Sequence, residues 1–341
     1  MSHYSGCPWR KPDYNYGDGV IGLHEEIDHF YKYILPTPCE HVVRNELVKR
    51  IENLVHDLWP QSVVEIFGSF RTGLILPSSD IDIVVLGLWE KLPLRTLESE
   101  LIARGFANSS TMFVVDMAQV PIVKFTDCET KIKVDISFNM QNGVQSAELI
   151  KFLKSEYPEL GKLVMILKQF LQQRGLNEVF TGGISSYSLI IMCVSFMKLH
   201  SRNFNGKTNI GVLILEFFEL YGLQFNYSQI EISIANGCAH TKRGNWLSPL
   251  CIPDPLQPGN DLGRGSFSIV AIKQAFRYAY RVLSQAVNPV SDTFSNNNSI
   301  LGRIIHISDE VIEYRAWLHQ TFNHLVIVEN VLEIQKTHND I

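Results

Sequence analysis

The sequence has no excess of basic residues and no long apolar run. Its 341 residues include 30 Lys and Arg against 35 Asp and Glu, which gives a formal net charge of −5. An acidic chain gains little from neutralising phosphates, so the composition argues against tight binding of nucleic acid by charge alone. The longest apolar stretch, residues 188–197, is too short to span a bilayer.

Paired cysteines and a leader-like segment are also missing. The six cysteines are scattered, and none lies in a C-x-x-C pair or at a spacing typical of a zinc site. Isolated thiols are typical of proteins from a reducing compartment. Residues 1–13 carry no apolar run of the signal-peptide kind. We therefore predict a soluble protein of the nucleus, the cytoplasm or both, with no membrane segment.

The residue pattern predicts an α+β chain in which a block of strands lies between helical segments. Apolar periodicity and the prolines that follow it predict two helices before the strands, and the chain turns helical again after Asn142. The predicted helices cover residues 22–35, 39–58, 160–171, 186–199, 211–221, 268–286 and 309–334. The predicted strands cover residues 63–67, 80–86, 112–117, 120–125 and 131–138.

Two of these strands carry carboxylates on one face. Asp80 and Asp82 share a face because successive side chains alternate across a strand, and Asp135 lies on the polar face of residues 131–138. If the two strands are neighbours, three carboxylates converge and need a cation. Such hard oxygen ligands favour Mg²⁺ or Mn²⁺. A bare D-x-D is also common on a solvated strand, so that interpretation stays open here.

A glycine- and serine-containing turn precedes the carboxylates. Gly68 and Ser69 directly follow the strand at residues 63–67, and Gly73 ends the same short run. Glycine lets backbone N–H groups approach phosphate oxygens, and Ser69 adds a hydroxyl donor. A structural turn would explain the glycines, but not the serine and the two aspartates that follow it. The combination favours a site for a triphosphate and two metal ions.

This order of motifs resembles the DNA polymerase β-type nucleotidyltransferase superfamily. Longer runs resemble the noncanonical poly(A) polymerases of the TRAMP type, in particular the animal terminal nucleotidyltransferase 4 group; these runs are residues 67–85, 133–139, 167–189 and 254–264. The resemblance implies a polymerase β-like nucleotidyltransferase domain with a mixed sheet at residues 37–150. It also implies a mostly helical central, PAP-associated domain at residues 151–341, on which an N-terminal arm and helix, residues 1–36, would pack.

The resemblance further implies an activity: addition of AMP from ATP to the 3′ end of RNA without a template. Asp80, Asp82 and Asp135 would bind Mg²⁺, with Mn²⁺ as an alternative, and Asp135 would help to deprotonate the RNA 3′-hydroxyl. The implied nucleotide contacts are Gly68, Ser69, Ser146, Ala147, Lys168, Ser186, Tyr187, Asp254 and Asn260. Without the resemblance, Lys168 would be read as an exposed helix lysine and Tyr187 as a core residue.

The nucleotide preference is predicted from one position. Related uridylyltransferases carry histidine where this chain has Asn260, and an imidazole there would crowd the exocyclic amine of adenine. Asn260 leaves room for adenine, and Gln172 replaces a second phosphate-binding lysine of that branch. A uridylyltransferase, a tailing enzyme of mixed nucleotide choice and an inactive scaffold remain the alternatives. The presence of all three aspartates and Ser69 argues against the scaffold.

The sequence contains no recognisable RNA-binding motif. An RNP aromatic motif, a KH loop and a zinc knuckle are all missing. The acidic balance agrees with delegated RNA selection, and the resemblance implies an RNA-binding adaptor, such as a zinc-knuckle subunit, as a partner.

Overall fold

The computed structural model describes residues 6–117, 120–200, 208–235, 239–242, 248–288 and 299–339, with side chains described up to residue 327. The chain forms two compact units. The helical unit contains Met1–Ile34 and Ile150–Asp309, and the sheet unit contains Leu35–Leu149 and Glu310–Ile341. The fold is α+β with a mixed sheet, which confirms the predicted class. No helix of the described residues is both long and apolar enough to cross a membrane.

The sheet unit is built on five strands. They are β1 (Val63–Phe67), β2 (Ile81–Leu86), β3 (Phe113–Val115), β4 (Ile122–Thr126) and β5 (Lys133–Phe138), in the spatial order β1-β2-β5-β4-β3. The β2–β5 pair is parallel and the other neighbours are antiparallel. All five predicted strands are present, each within two residues of the predicted start.

One face of this sheet is the core of the unit. Alternate residues such as Ile81, Ile83 and Ile136 are fully buried there. They pack with α2 (Pro38–Leu58) and α4 (Leu94–Ala103). Neither α4 nor the five-residue α3 (Gly68–Thr72) was predicted, and α3 lies where we expected only a turn.

The start of α2 is set by its first residues. Thr37 Oγ1 accepts a hydrogen bond from Glu40 N at 3.2 Å, and Glu40 Oε2 accepts one from Thr37 N at 2.7 Å. This reciprocal pair satisfies two backbone donors that the helix itself leaves open, and Pro38 occupies a position where no backbone N–H is needed.

The C-terminal helix, α10 (Asp309–Asn339), packs in the sheet unit. Tyr314 Oη donates to Thr130 O at 3.0 Å, and Arg315 Nε lies 2.8 Å from Glu40 Oε1. Leu318 and Phe322 join the sheet core. These residues were predicted to belong to the helical domain, and the contacts correct that prediction. Periodicity shows that a helix has a buried face but does not show which element covers that face.

The helical unit comprises most of the remaining helices. They are α1 (Gly19–Ile34), α6 (Leu160–Gln172), α7 (Ser186–His200), α8 (Ile210–Glu219) and α9 (Ile269–Ala286), while α5 (Gln141–Glu156) contributes residues to both units. α1 packs on α6 and α8. A two-stranded ribbon, β6 (Ile230–Ile232) and β7 (Ala239–Thr241), was not predicted. Its strands are too short to show alternation.

Candidate active site

Strand pairing brings the three predicted carboxylates together. Asp82 and Asp135 lie directly opposite each other in the parallel β2–β5 pair, and Asp80 immediately precedes β2. Carboxylate oxygens of the three residues lie within 4.8 Å of one another. The two strands that carry the carboxylates are therefore neighbours, and the predicted cluster forms.

This cluster suits a divalent metal. Three carboxylates at such short range repel one another, and their oxygens are the ligands that Mg²⁺ and similar hard cations prefer. Asp135 is only 9% exposed, whereas Asp80 and Asp82 are partly open. The arrangement can hold a divalent ion in a position that a phosphate ligand could reach.

Lys124 is a member of this site that the sequence analysis missed. It lies on β4 directly opposite Asp135, and its ammonium group forms an ion pair with Asp135 Oδ2. The lysine therefore offsets part of the negative charge of the cluster. The alternation of β4 does not single out Lys124, because it shares its face with Ile122; only the register shows that Asp135 is its neighbour.

The short helix α3 begins beside Asp82 because Phe67, the last residue of β1, lies opposite Asp82 in the sheet. Gly68 has a φ of +63°, and a Cβ at this position would lie 2.7 Å from Asp82 Cγ. Both facts require glycine here. Arg71 then fixes α3 by hydrogen bonds to Glu65 Oε2 at 2.6 Å and to Glu148 Oε1 at 2.8 Å. Ser69 lies in the first turn of this helix and is partly exposed.

Arg44 on α2 holds the loop that leads into Asp80. The side chain is 4% exposed, and its Nη2 donates to Pro77 O at 3.1 Å and to Ser79 O at 2.9 Å. Burial lowers the pKa of Arg44, while Tyr314, Glu40 and Asp80 act in the opposite direction. The guanidinium group stays charged. It donates to two carbonyls that lie directly before Asp80, a candidate metal ligand.

We expect Arg44→Met to destabilise the sheet unit by about 3 kcal/mol, because two buried hydrogen bonds from a charged donor are lost. The midpoint of urea unfolding, followed by circular dichroism, measures this change. Arg95→Met is the control, since Arg95 lies on the surface with 64% of its side chain exposed. Equal midpoints for the two variants would contradict the proposed role of Arg44.

Two further predicted contacts in the sheet unit lie on α5. Ser146 Oγ donates to Asn142 O at 2.9 Å, one turn earlier in the same helix. Ala147 is 1% exposed, so its methyl group offers little surface to a ligand. The structure thus leaves Ser146 as the more accessible of this pair.

In the helical unit, three predicted residues form one hydrogen-bonded group. Tyr187 Oη donates to Asp254 Oδ1 at 3.4 Å, and Asn260 Nδ2 donates to Asp254 Oδ2 at 2.9 Å. Tyr187 is partly exposed, so it is not a core residue, and Asn260 is exposed. Ser186 precedes Tyr187 at the exposed start of α7. Asp254 therefore orients both residues predicted to meet the base.

Lys168 lies on α6 and is 8% exposed. A lysine buried to that extent is uncommon unless its charge has a partner or a function. Its reading as an ordinary exposed helix lysine is therefore wrong.

The loop that carries Asn260 is fixed by two residues that the sequence analysis did not select. Asp261 Oδ1 accepts hydrogen bonds from Ile252 N at 2.8 Å and Gly263 N at 2.9 Å. Ser188 Oγ donates to Leu262 O at 2.9 Å, which ties the loop to α7. An Asp two residues before a Gly is a signal for such a side-chain-capped turn.

The fold and the carboxylate cluster together define a nucleotidyltransferase. Two family profiles match: "Poly(A) RNA polymerase, mitochondrial-like, central palm domain" over residues 23–155, and "Cid1 family poly A polymerase" over residues 209–260. The polymerase core of TRAMP, an RNA surveillance complex, has a solved structure that matches with a TM-score of 0.74 and 35% sequence identity. That match covers 83% of this chain and 93% of the other.

Similarity to curated proteins identifies the family more narrowly. The chain is 42% identical to the inactive non-canonical poly(A) RNA polymerase protein Trf4-2 of Drosophila melanogaster, over 94% of this chain and 83% of that protein. It is 35% identical to the poly(A) RNA polymerase cid14 of Schizosaccharomyces pombe, over 96% of this chain. The chain spans about half, 51%, of that second relative. The chain belongs to the noncanonical poly(A) RNA polymerase family, which confirms the resemblance seen in the sequence.

Proposed function

We propose that this chain is a template-independent adenylyltransferase that transfers AMP from ATP to the 3′ end of RNA. The carboxylate cluster of Asp80, Asp82 and Asp135 beside Gly68 and Ser69 is the observation that carries the proposal. Those carboxylates lie within 4.8 Å of one another on neighbouring strands of a polymerase-like fold. Relatives named poly(A) RNA polymerase support the choice of reaction.

The proposed chemistry is an in-line displacement at phosphorus. The RNA 3′-oxygen bonds to the α-phosphorus of ATP, the bond to the β-phosphate oxygen breaks, and pyrophosphate leaves. Asp80, Asp82 and Asp135 would hold Mg²⁺, with Mn²⁺ as a substitute, and bound ions would acidify the hydroxyl and neutralise the leaving group. Asp135 would accept the proton of the 3′-hydroxyl.

We assign the remaining residues to the nucleotide. Gly68 and Ser69 would bind the β- and γ-phosphates, and Lys168 and Ser186 would add further phosphate contacts. Tyr187 would stack on the base. Ser146 would lie against the ribose, with the buried Ala147 behind it, while Asp254 and Asn260 would recognise the edge of the base.

A primer-extension assay tests the reaction. Purified protein, labelled oligo(A), Mg²⁺ and each ribonucleotide separately should give a ladder with ATP. The Asp80→Ala/Asp82→Ala variant should give none. A ladder mainly with UTP would keep the mechanism and replace the proposed nucleotide. No ladder in any lane, with Mn²⁺ or at high RNA concentration, would contradict the proposed activity.

We expect Asn260→His to raise the use of UTP relative to ATP. The imidazole adds bulk where adenine would present its amine, and it removes the hydrogen bond from Asn260 to Asp254. The measured quantity is the ratio of kcat/KM for UTP to kcat/KM for ATP. This ratio should rise by about tenfold if one good base contact is lost. Asn260→Ala is the matched control, because it removes the hydrogen bond without adding bulk. An unchanged ratio in Asn260→His would contradict the role of this position.

An inactive protein is the second candidate, favoured by one observation: the Drosophila melanogaster relative at 42% identity is named inactive. The carboxylates, Gly68 and Ser69 of this chain favour the active form. Thermal unfolding with Mg²⁺ or Mn²⁺, alone and with ATP, separates the candidates when read beside the extension assay. Stabilisation by metal and ATP without extension would favour an inactive nucleotide-binding protein.

We further propose that an RNA-binding adaptor, such as a zinc-knuckle protein, selects the RNA. The net charge of −5 and the sequence's lack of an RNA-binding motif support this division of labour. The related TRAMP polymerase core is described as part of an RNA surveillance complex. A filter-binding titration should show weak binding of RNA by the chain alone, and tight sequence-selective binding would contradict this proposal.

We also propose that the protein is located in the nucleus, the cytoplasm or both, which epitope tagging and microscopy would test.

A further inference from the structure

The face of the sheet that carries the carboxylates continues beyond Asp135. Lys124 on β4 lies opposite Asp135, and Phe113 on β3 lies opposite Lys124. Residues directly opposite each other in neighbouring strands point to the same face, and strands lie about 4.8 Å apart. Phe113 is therefore on the same face as Asp135, two strands away, at about 10 Å. Val115 and Ile122 form the next opposite pair on this face.

This end of the face is apolar and exposed. Phe113 is 62% exposed and Val115 is 38% exposed. Val114, which lies between them on the strand, points to the other face and packs against the core. β3 is an edge strand, and solvent-facing positions of an antiparallel sheet are ordinarily polar. An exposed apolar patch continuous with a reaction site is typical of a binding surface. We call Phe113, Val115 and Ile122 the β3–β4 shelf.

We infer that the β3–β4 shelf binds the 3′-terminal nucleotides of the RNA and holds the end of the strand at Asp135. This inference rests on the proposed adenylyltransferase function. An aromatic side chain stacks on any base, so Phe113 fits a substrate that is extended without a template. The apolar neighbours Val115 and Ile122 can cover the flank of the same base or the next one.

Positive charge beside the shelf favours RNA over a protein partner. Lys124 separates the shelf from Asp135, and the exposed Lys133 lies opposite Thr126 on the same face. In a chain with a net charge of −5, the exposed Lys133 on the same face can contact a phosphate while an unstacked base lies on Phe113, which suits a single strand of RNA. A second copy that paired edge to edge would gain little, because β3 has only three residues.

The test is steady-state extension of oligo(A) by Phe113→Ala. The KM for RNA should rise about tenfold, while kcat and the KM for ATP stay within about twofold, because one stacking contact is lost far from the triphosphate. Phe113→Trp should restore the KM for RNA. Phe180→Ala is the matched control: Phe180 is 88% exposed, lies in the helical unit, and should leave the KM for RNA unchanged. Val115→Thr keeps a β-branched side chain and should raise the KM for RNA by a smaller factor. This milder change tests the shelf even if Phe113→Ala fails to fold.

Binding is measured separately from turnover. An oligo(A) carrying 5-iodouridine at its 3′ end should crosslink to β3 without ATP, with the site mapped by mass spectrometry. Wild-type protein that does not extend RNA would contradict the proposed function. Protein that extends RNA, while Phe113→Ala keeps the KM for RNA and the crosslink maps elsewhere, would overturn this inference alone. A shift in oligomeric state or loss of a bound protein in Phe113→Ala, with the KM for RNA unchanged, would overturn it in favour of a protein interface.

Discussion

We expect Asp135→Asn to reduce AMP transfer by about a thousandfold or more, a loss of about 4 kcal/mol of transition-state stabilisation. The amide has the same shape as the carboxylate, so strand β5 and its pairing with β2 stay intact. It lacks the negative charge that would bind a divalent ion, accept the 3′-hydroxyl proton and pair with Lys124. The initial rate of oligo(A) extension under saturating ATP measures the loss.

Two companion measurements show whether the loss comes from metal binding. Asp116→Asn is the control, because Asp116 is half-exposed, pairs with Arg95 and should retain full activity. The thermal midpoint of the wild type should rise with added Mg²⁺ or Mn²⁺, and that of Asp135→Asn should rise less. If Asp135→Asn retained more than about a tenth of the wild-type rate, Asp135 would not be a ligand of the reacting metal.

The second large effect is expected from Gly68→Ala. A left-handed backbone costs a residue with a side chain about 1–2 kcal/mol. In addition, the new methyl group would meet the carboxylate of Asp82, since the Cβ position lies 2.7 Å from Asp82 Cγ. Either Asp82 or α3 must move, so we expect extension activity to fall at least about a hundredfold.

Gly105→Ala isolates the second cause. Gly105 also belongs to the sheet unit and has a φ of +75°, but a Cβ there has nothing within 4 Å. Both variants force a residue with a side chain into a left-handed backbone conformation, but only Gly68→Ala brings the new methyl group against Asp82. Urea unfolding should therefore show a loss in both, whereas extension should fall only in Gly68→Ala. Similar activity in the two variants would show that Gly68 is needed for the turn alone.

Much of the site was predictable from alternation within single strands. Asp80 and Asp82 had to share a face, and Asp135 had to lie on the polar side of β5. The β2–β5 pairing that joins them was only a condition in that argument, because residues about fifty positions apart meet by register, which a strand's own sequence does not specify. For the same reason Lys124, which depends on the β4–β5 register, was not found.

Other features depend on tertiary contacts that leave little mark in the sequence. Arg44 looks like an ordinary helix residue until its helix is packed beside the loop at Pro77 and Ser79. The partner of α10 was assigned wrongly because its apolar stripe fits any core. Membership of the nucleotidyltransferase class was confirmed, while the individual nucleotide contacts, such as Tyr187 and Asn260, stay predictions from the family resemblance.

The position of α10 in the sheet unit affects how the protein can fold during synthesis. Leu318 and Phe322 complete a core whose other members lie mainly between residues 39 and 138. The ribosome makes the strands and the three candidate metal-binding aspartates first, and then residues 150–309 of the other unit, before it makes α10. The nascent sheet therefore exposes part of its apolar interior until α10 has been made, a stage at which chaperones commonly protect such surfaces. A stop codon after residue 309 would spare every candidate catalytic residue and still leave that interior uncovered.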